Sequence, residues 1–280
     1  MSLPDQETPS LPRRQTDPVW LQDHFLHTGH TEETSSATFT FVKHKNQVYA
    51  VTCGHVLDAI KDEEVVPGAK FPTLALQIDR AVLNLSTFIA ASQIEYAVKA
   101  PKFKDERREV DIAIAKLSDH YWSLMTEKKQ KTAIDLDSWR EPDWDKVKFC
   151  LAAGYPDEHK AQVEDGGRDM VSAPFATVVV EFADRSPTVI TLSSELDQPH
   201  NYYFSGMSGG PVYAAEGLGE IEDYDLFPVG IIYQGYPGSG RRSGNPDTSA
   251  SFFTERDIFF RALALTPDTF DDWLRQSHAI

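Results

Sequence analysis

An all-β chain in two halves, finished by a C-terminal helix, is predicted by three observations. Short runs rich in β-branched and aromatic residues recur with polar loops between them, as in a barrel or a sandwich. The runs form two series, parted by a polar, helix-permissive stretch at 118–131 and an acidic, Trp-containing link through Asp145. A clear amphipathic stripe enters only at the end, where Phe270, Trp273 and Leu274 fall at i, i+3 and i+4.

The chain has 280 residues, 41% hydrophobic and 25% charged, with 17 prolines. That composition suits a folded protein with a real core, in one large domain or two small ones sharing a cleft. Twenty-seven basic against 43 acidic residues give a net charge of −16, which repels phosphates and anionic lipid. Neither nucleic acid nor membrane is therefore an expected partner, and no apolar run approaches a membrane span. The opening MSLPDQETPSLPRRQTDP carries no apolar signal-peptide core. Only Cys53 and Cys150 occur, without metal or redox spacing, so the expected compartment is the reducing cytoplasm. No metal and no cofactor are expected.

Residues 1–30 read as a polar, Pro-rich arm. The first β series spans 31–120: ATFTFV (37–42), QVYAVTC (47–53), TLALQI (73–78), VLNLSTFIA (82–90), EYAVKA (95–100) and DIAIAKL (111–117). A short helical turn, VLDAIKD, follows the second run. Residues 121–145 form the passage between halves. The second series spans 146–265: VKFCLAAGYP (147–156), ATVVVEF (176–182), TVITLS (188–193), NYYFS (201–205), PVYAA (211–215) and FPVGIIY (227–233). Within it, Thr254 with Asp257 predicts a capped helix over ERDIFFRALAL. Residues 266–280 hold the final helix, opened by Pro267 and expected to dock on the second half.

Three motifs carry chemistry. Thr52-Cys53-Gly54-His55-Val56 presents a histidine where a strand ends, and taken alone a surface histidine is the commoner reading. Asp111 opens the strand DIAIAKL at the edge of a buried region, where a carboxylate needs a hydrogen-bonding partner. Ser205-Gly206-Met207-Ser208-Gly209-Gly210-Pro211 is far more specific. Glycines there permit a turn that exposes one hydroxyl and aims amide N–H groups beside it. A nucleophile with oxyanion donors is what acyl transfer needs. No Gly-Lys-Ser/Thr follows, so a phosphate loop does not fit.

With these residues the chain resembles the trypsin/chymotrypsin family of serine proteases, its bacterial and intracellular-type members above all. T-C-G-H-V, D-I-A-I-A-K-L and G-M-S-G-G-P-V are similar to its histidine, aspartate and nucleophile motifs, and they occur in its chain order. Ala153-Gly154-Tyr155-Pro156 and Gly230-Ile231-Ile232-Tyr233-Gln234-Gly235 resemble further family segments. The resemblance implies two six-stranded antiparallel β-barrels with a C-terminal helix, and a serine endopeptidase acting on a protein or peptide substrate. It implies a triad of His55, Asp111 and Ser208, with the backbone N–H groups of Gly206 and Ser208 as oxyanion hole. It places substrate contacts at Tyr202, Tyr203, Phe204, Tyr233, Gln234 and Gly235, although the first three aromatics serve equally as barrel core. Met207 stands where many secreted members carry an aspartate, so activation by pairing with a new N-terminus is not expected. Two rival readings remain: a catalytically inactive protease-fold binding module, and a protease kept shut by loops such as 157–174 or by the arm until an activating partner protein binds. An α/β-hydrolase does not fit, because its histidine comes last in the chain.

Overall fold

The computed structural model describes residues 25–27, 38–63, 75–78, 81–84, 88–90, 95–98, 106–129, 131–159, 161–165, 168–172, 175–195, 204–217, 224–237 and 257–276. Most of the described residues lie in strands, so the chain is mostly β. No helix among the described residues is long and apolar enough to cross a membrane.

The N-terminal half contains β1 (Phe25–His27), β2 (Thr38–His44), β3 (Gln47–Thr52), β4 (Ala75–Ile78), β5 (Ala81–Asn84), β6 (Phe88–Ala90), β7 (Glu95–Val98), β8 (Glu106–Glu109), β9 (Ala113–Lys116) and β10 (Ile134–Asp135). Two helices accompany them, α1 (Gly54–Glu63) and α2 (Asp119–Lys129). The main sheet runs β1-β2-β3-β9-β6, with β10 parallel to β2. Among the described residues β4 pairs only with β5, and β7 only with β8. Among the described residues this sheet is not closed, so of the two barrels expected only the C-terminal one is shown. The run at 82–90 is divided between β5 and β6, where polar Asn84, Ser86 and Thr87 interrupt its apolar residues. The stretch 121–145 is more than a passage, since Met125, Ile134 and Leu136 are buried and β10 joins the sheet.

Period two along β2 and β3 gives the sheet two buried faces. Phe39, Phe41, Val48, Ala50, Ala113 and Ala115 pack with Leu57 of α1 and Met125 of α2. Val42, Tyr49, Val51 and Ile114 belong instead to the core shared with the C-terminal half. A two-residue turn joins β2 to β3, with Lys45 and Asn46 at φ 50° and 60°. Such a turn matches the twist of the strands it joins. The Asp137 carboxylate accepts both of its N–H groups, at 2.7 and 3.1 Å.

The C-terminal half consists of β11 (Val147–Gly154), β12 (Ala161–Asp165), β13 (Arg168–Ser172), β14 (Ala176–Arg185), β15 (Val189–Glu195), β16 (Pro211–Glu216), β17 (Asp225–Pro237) and β18 (Asp257–Ala264). Six of them close an antiparallel barrel in the order β11-β14-β15-β18-β17-β16. Alternation sorts its side chains. Cys150, Ala152, Val212, Ala214, Phe260 and Ala262 belong to the barrel core. Leu151, Ala153, Tyr213 and Leu263 belong to the core shared with the N-terminal sheet. A six-stranded barrel is narrow, and small residues among the large ones let it fill.

Three expectations are corrected in this half. ERDIFFRALAL is not a helix: Asp257–Ala264 is β18, paired with β15 and β17. Ile258, Phe260 and Ala262 enter the barrel, and the closure they supply overrides the local cap signal; Thr254 lies outside the described residues. Phe204 and Ser205, expected within a strand, form a turn, while 201–203 lie outside the described residues. Between 157 and 174 the chain makes a 3₁₀ turn (Asp157–His159) and the β12–β13 hairpin instead of a plain loop.

The final helix, α3 (Pro267–Gln276), forms as predicted. Thr266 caps it: its hydroxyl accepts the Thr269 N–H, and the Thr269 hydroxyl accepts the Thr266 N–H. Phe270, Trp273 and Leu274 are buried. They join the core shared by both halves, and α3 also makes ring and polar contacts with the N-terminal hairpin. The Phe270 ring meets Tyr49 and His44 edge-on, and Asp271 bonds His44 and Lys45.

Phe270→Ala is expected to cost about 3–5 kcal/mol in urea unfolding, the range for a buried aromatic. The hydrogen bond from Lys45, helped by His44, outweighs burial and holds the Asp271 carboxyl below the usual carboxylate range. A carboxyl lowered by folding stabilises above about pH 4, and that stability is lost as pH falls through the folded value. Unfolding measured against pH should therefore show a shallower acid limb for Asp271→Asn than for wild type.

Candidate active site

Pairing of β3 with β9 brings the first two motifs together. Thr52 stands opposite Ala113, so the chain leaving β3 and the chain entering β9 lie side by side. His55 follows on the first turn of α1, and Asp111 sits two residues before β9. The Asp111 carboxylate grips the histidine twice. Oδ1 accepts the His55 backbone N–H at 2.9 Å, and Oδ2 lies 2.5 Å from Nδ1. A carboxylate offers no proton, so in the neutral imidazole Nδ1 carries the hydrogen and Nε2 is left as an acceptor. Nε2 faces Ser208 Oγ at 3.1 Å.

Burial alone would push the Asp111 carboxyl up. The imidazole and the backbone N–H groups of His55 and Gly54 outweigh it and hold the carboxyl below its usual range. Asp111 therefore stays ionised wherever the histidine needs a counter-charge. Its neighbours Val110 and Ile112 are buried, which fixes the approach of the carboxylate.

The serine turn, 204–210, is nailed down by side chains and held by its carbonyls. Phe204 and Met207 are buried in the barrel core, Phe204 against Phe260. Gly206 and Gly209 both have φ of 87°, a conformation closed to most residues. A Cβ on Gly209 would lie 2.0 Å from the Thr38 carbonyl oxygen. The N-terminal sheet grips the turn through the Thr38 hydroxyl, which donates to Gly206 O at 2.7 Å, and the Thr40 hydroxyl, which donates to Gly209 O at 2.7 Å. Thr38 N–H donates to Ser208 O, and Gly209 N–H to Ile232 O.

The turn's own N–H groups divide sharply. Those of Phe204, Met207, Gly209 and Gly210 donate within the protein. Those of Ser205, Gly206 and Ser208 have no protein acceptor among the described residues, and the last two lie nearest the nucleophile in the chain. One of these two donors is on Ser208 itself, whose hydroxyl faces His55, and the other is two residues before it. Together they can hold an oxygen on which negative charge develops.

The remaining predicted residues divide as follows. Phe204 is committed to barrel core. Tyr233 is the extra residue of a bulge between Ile232 and Gln234, and it packs half-buried against Cys53 and Val56. Gln234 is exposed and Gly235 partly so. Tyr202 and Tyr203 lie outside the described residues. Cys53, His55 and Asp111 bring possible metal-ligand atoms within 4.8 Å of one another. Burial, with Asp111 beside it, pushes the Cys53 thiol well up, and Sγ donates to Ile232 O at 3.1 Å. A thiol so held is a poor source of the thiolate that a metal wants.

Thr38 and Thr40 escaped sequence reasoning. Their signal was the T-F-T-F alternation, which sets two hydroxyls on the face opposite Phe39 and Phe41.

Comparison with protein-family models finds no match to this chain, and comparison with curated proteins finds none either.

Thr38→Val removes the bonds to Gly206 O and from Tyr155 N–H, and should cost about 1–3 kcal/mol in chemical unfolding. Gly209→Ala adds left-handed strain to a steric clash, and about 2–4 kcal/mol is expected in the same assay.

Proposed function

We propose that the protein is a serine endopeptidase in which Ser208 attacks the scissile carbonyl, His55 shuttles the proton and Asp111 orients the imidazole. The observation that carries this reading is the continuous Asp111–His55–Ser208 relay beside two unspent N–H groups. As Ser208 Oγ bonds to the carbonyl carbon, its proton passes to His55 Nε2. The carbonyl π electrons move to oxygen, where the Gly206 and Ser208 N–H groups receive the charge. Collapse breaks the C–N bond, and the imidazolium gives its proton to the leaving amine. Water then repeats the sequence on the acyl-enzyme and frees the acid.

The fold supplies a place for the substrate backbone. β17 pairs with β16 only as far as Ile231, and with the serine turn at Ile232. From Gln234 to Pro237 it pairs with β18 alone, so among the described residues its other edge has no strand partner. An extended peptide added to that edge would bring a main-chain carbonyl toward the hydroxyl. We take the closed barrel and the open N-terminal sheet as counterparts of the two barrels of the chymotrypsin-like proteases. In this reading Met207 is an apolar plug that holds the turn, so the oxyanion hole stands formed without a newly cut N-terminus.

Cleavage of an unfolded protein mixture, followed by counting new N-termini, should separate wild type from Ser208→Ala, which yields none. Asp111→Asn should lower kcat by about 10⁴-fold, because the imidazole then adopts the wrong tautomer. Equal cleavage by wild type and Ser208→Ala would sink the proposal.

A further inference from the structure

The serine turn is held from a second side, by the segment that leaves β11. Asp157 N–H donates to Ser205 O at 2.7 Å, and the Glu158 carboxylate accepts the Phe204 N–H at 2.8 Å. Both contacts fall on the two residues preceding Gly206. Of the three described non-glycine residues with positive φ, two form the β2–β3 turn and the third is Phe204, at 52°. A bulky side chain rarely takes that conformation, and it persists only where its surroundings over-determine it.

Ser205 C=O and Gly206 N–H belong to one trans peptide, so they point in opposite directions. While Asp157 N–H holds the carbonyl, the Gly206 N–H must point away from Asp157. If the carbonyl were released and the peptide turned over, an oxygen would occupy the place of a donor. The hole would then repel the charge it has to bind. Gly206, lacking Cβ, offers little resistance to that rotation.

We propose that Glu158 is a positioning residue for the oxyanion hole. It holds the strained Phe204 backbone by a charge-assisted bond and keeps the adjoining Asp157 N–H on Ser205 O. Glu158 touches neither the nucleophile nor the reacting carbonyl. It acts through the orientation of one peptide plane. The segment lies immediately before the β12–β13 hairpin, so the oxyanion hole is coupled to a hairpin outside the barrel. The inference rests on the peptidase reading of Ser208 and deepens it.

Glu158→Ala and Glu158→Gln test it on the full chain, with p-nitrophenyl acetate as acyl donor. The readouts are the rate of the p-nitrophenolate burst, the midpoint of thermal unfolding and a crystal structure of each variant. Glu158→Ala should slow acylation by about 10²-fold, the typical cost of one oxyanion donor. Its fold should survive, with the Ser205 carbonyl turned away from Asp157. Glu158→Gln retains a side-chain oxygen to accept the Phe204 N–H and should recover most of the wild-type rate. An unchanged burst rate in Glu158→Ala, or an unmoved Ser205–Gly206 peptide, would overturn the role of Glu158. A wild type with no Ser208-dependent burst would instead contradict the peptidase reading.

Discussion

A planar trans peptide cannot aim its carbonyl and its N–H at the same target. The turn around Ser208 uses that constraint throughout. Its carbonyls are tied inward, Gly206 O and Gly209 O to threonine hydroxyls of β2, Ser208 O to the Thr38 N–H and Met207 O to the Gly210 N–H. With the carbonyls so spent, the N–H groups of Gly206 and Ser208 are left beside the hydroxyl. The glycines are required because this path needs positive φ at Gly206 and Gly209, and because Gly209 runs against the N-terminal sheet with no room for a side chain.

The constraint ties the site to the seam. Val42, Tyr49, Val51 and Ile114 from the open sheet share one apolar core with Leu151, Ala153, Tyr213 and Leu263 from the outside of the barrel. Two of the proposed catalytic side chains come from the sheet side and one from the barrel side. Their distances are therefore fixed by side-chain packing as well as by hydrogen bonds. Phe270 on α3 closes the same seam from the C-terminal end, against Tyr49. Rigid coupling of this kind removes the freedom that domain halves have by default.

Much of this was legible in the sequence because some residues have few uses. A serine among three glycines before an apolar strand, with a histidine and an aspartate at strand ends, left little choice. The structure brings those three side chains within bonding reach of one another. Legibility failed where a contact is long-range or made by backbone. Thr38 and Thr40 meet a turn some 170 positions away, and Glu158 meets it through a main-chain N–H. β18 was masked by a cap-like Thr254…Asp257 spacing, although the strand is needed to close the barrel. The β4–β5 and β7–β8 pairs look in sequence like any other strands, since a run of alternating residues does not say which sheet it joins.

The central claim is that Ser208 is a nucleophile poised by His55 and Asp111. Intact-mass analysis after exposure to a fluorophosphonate tests it most directly. The account predicts a single covalent adduct that maps to Ser208 and disappears in both Ser208→Ala and His55→Ala. A folded wild-type protein that stays unmodified, or that carries the adduct elsewhere, would contradict it.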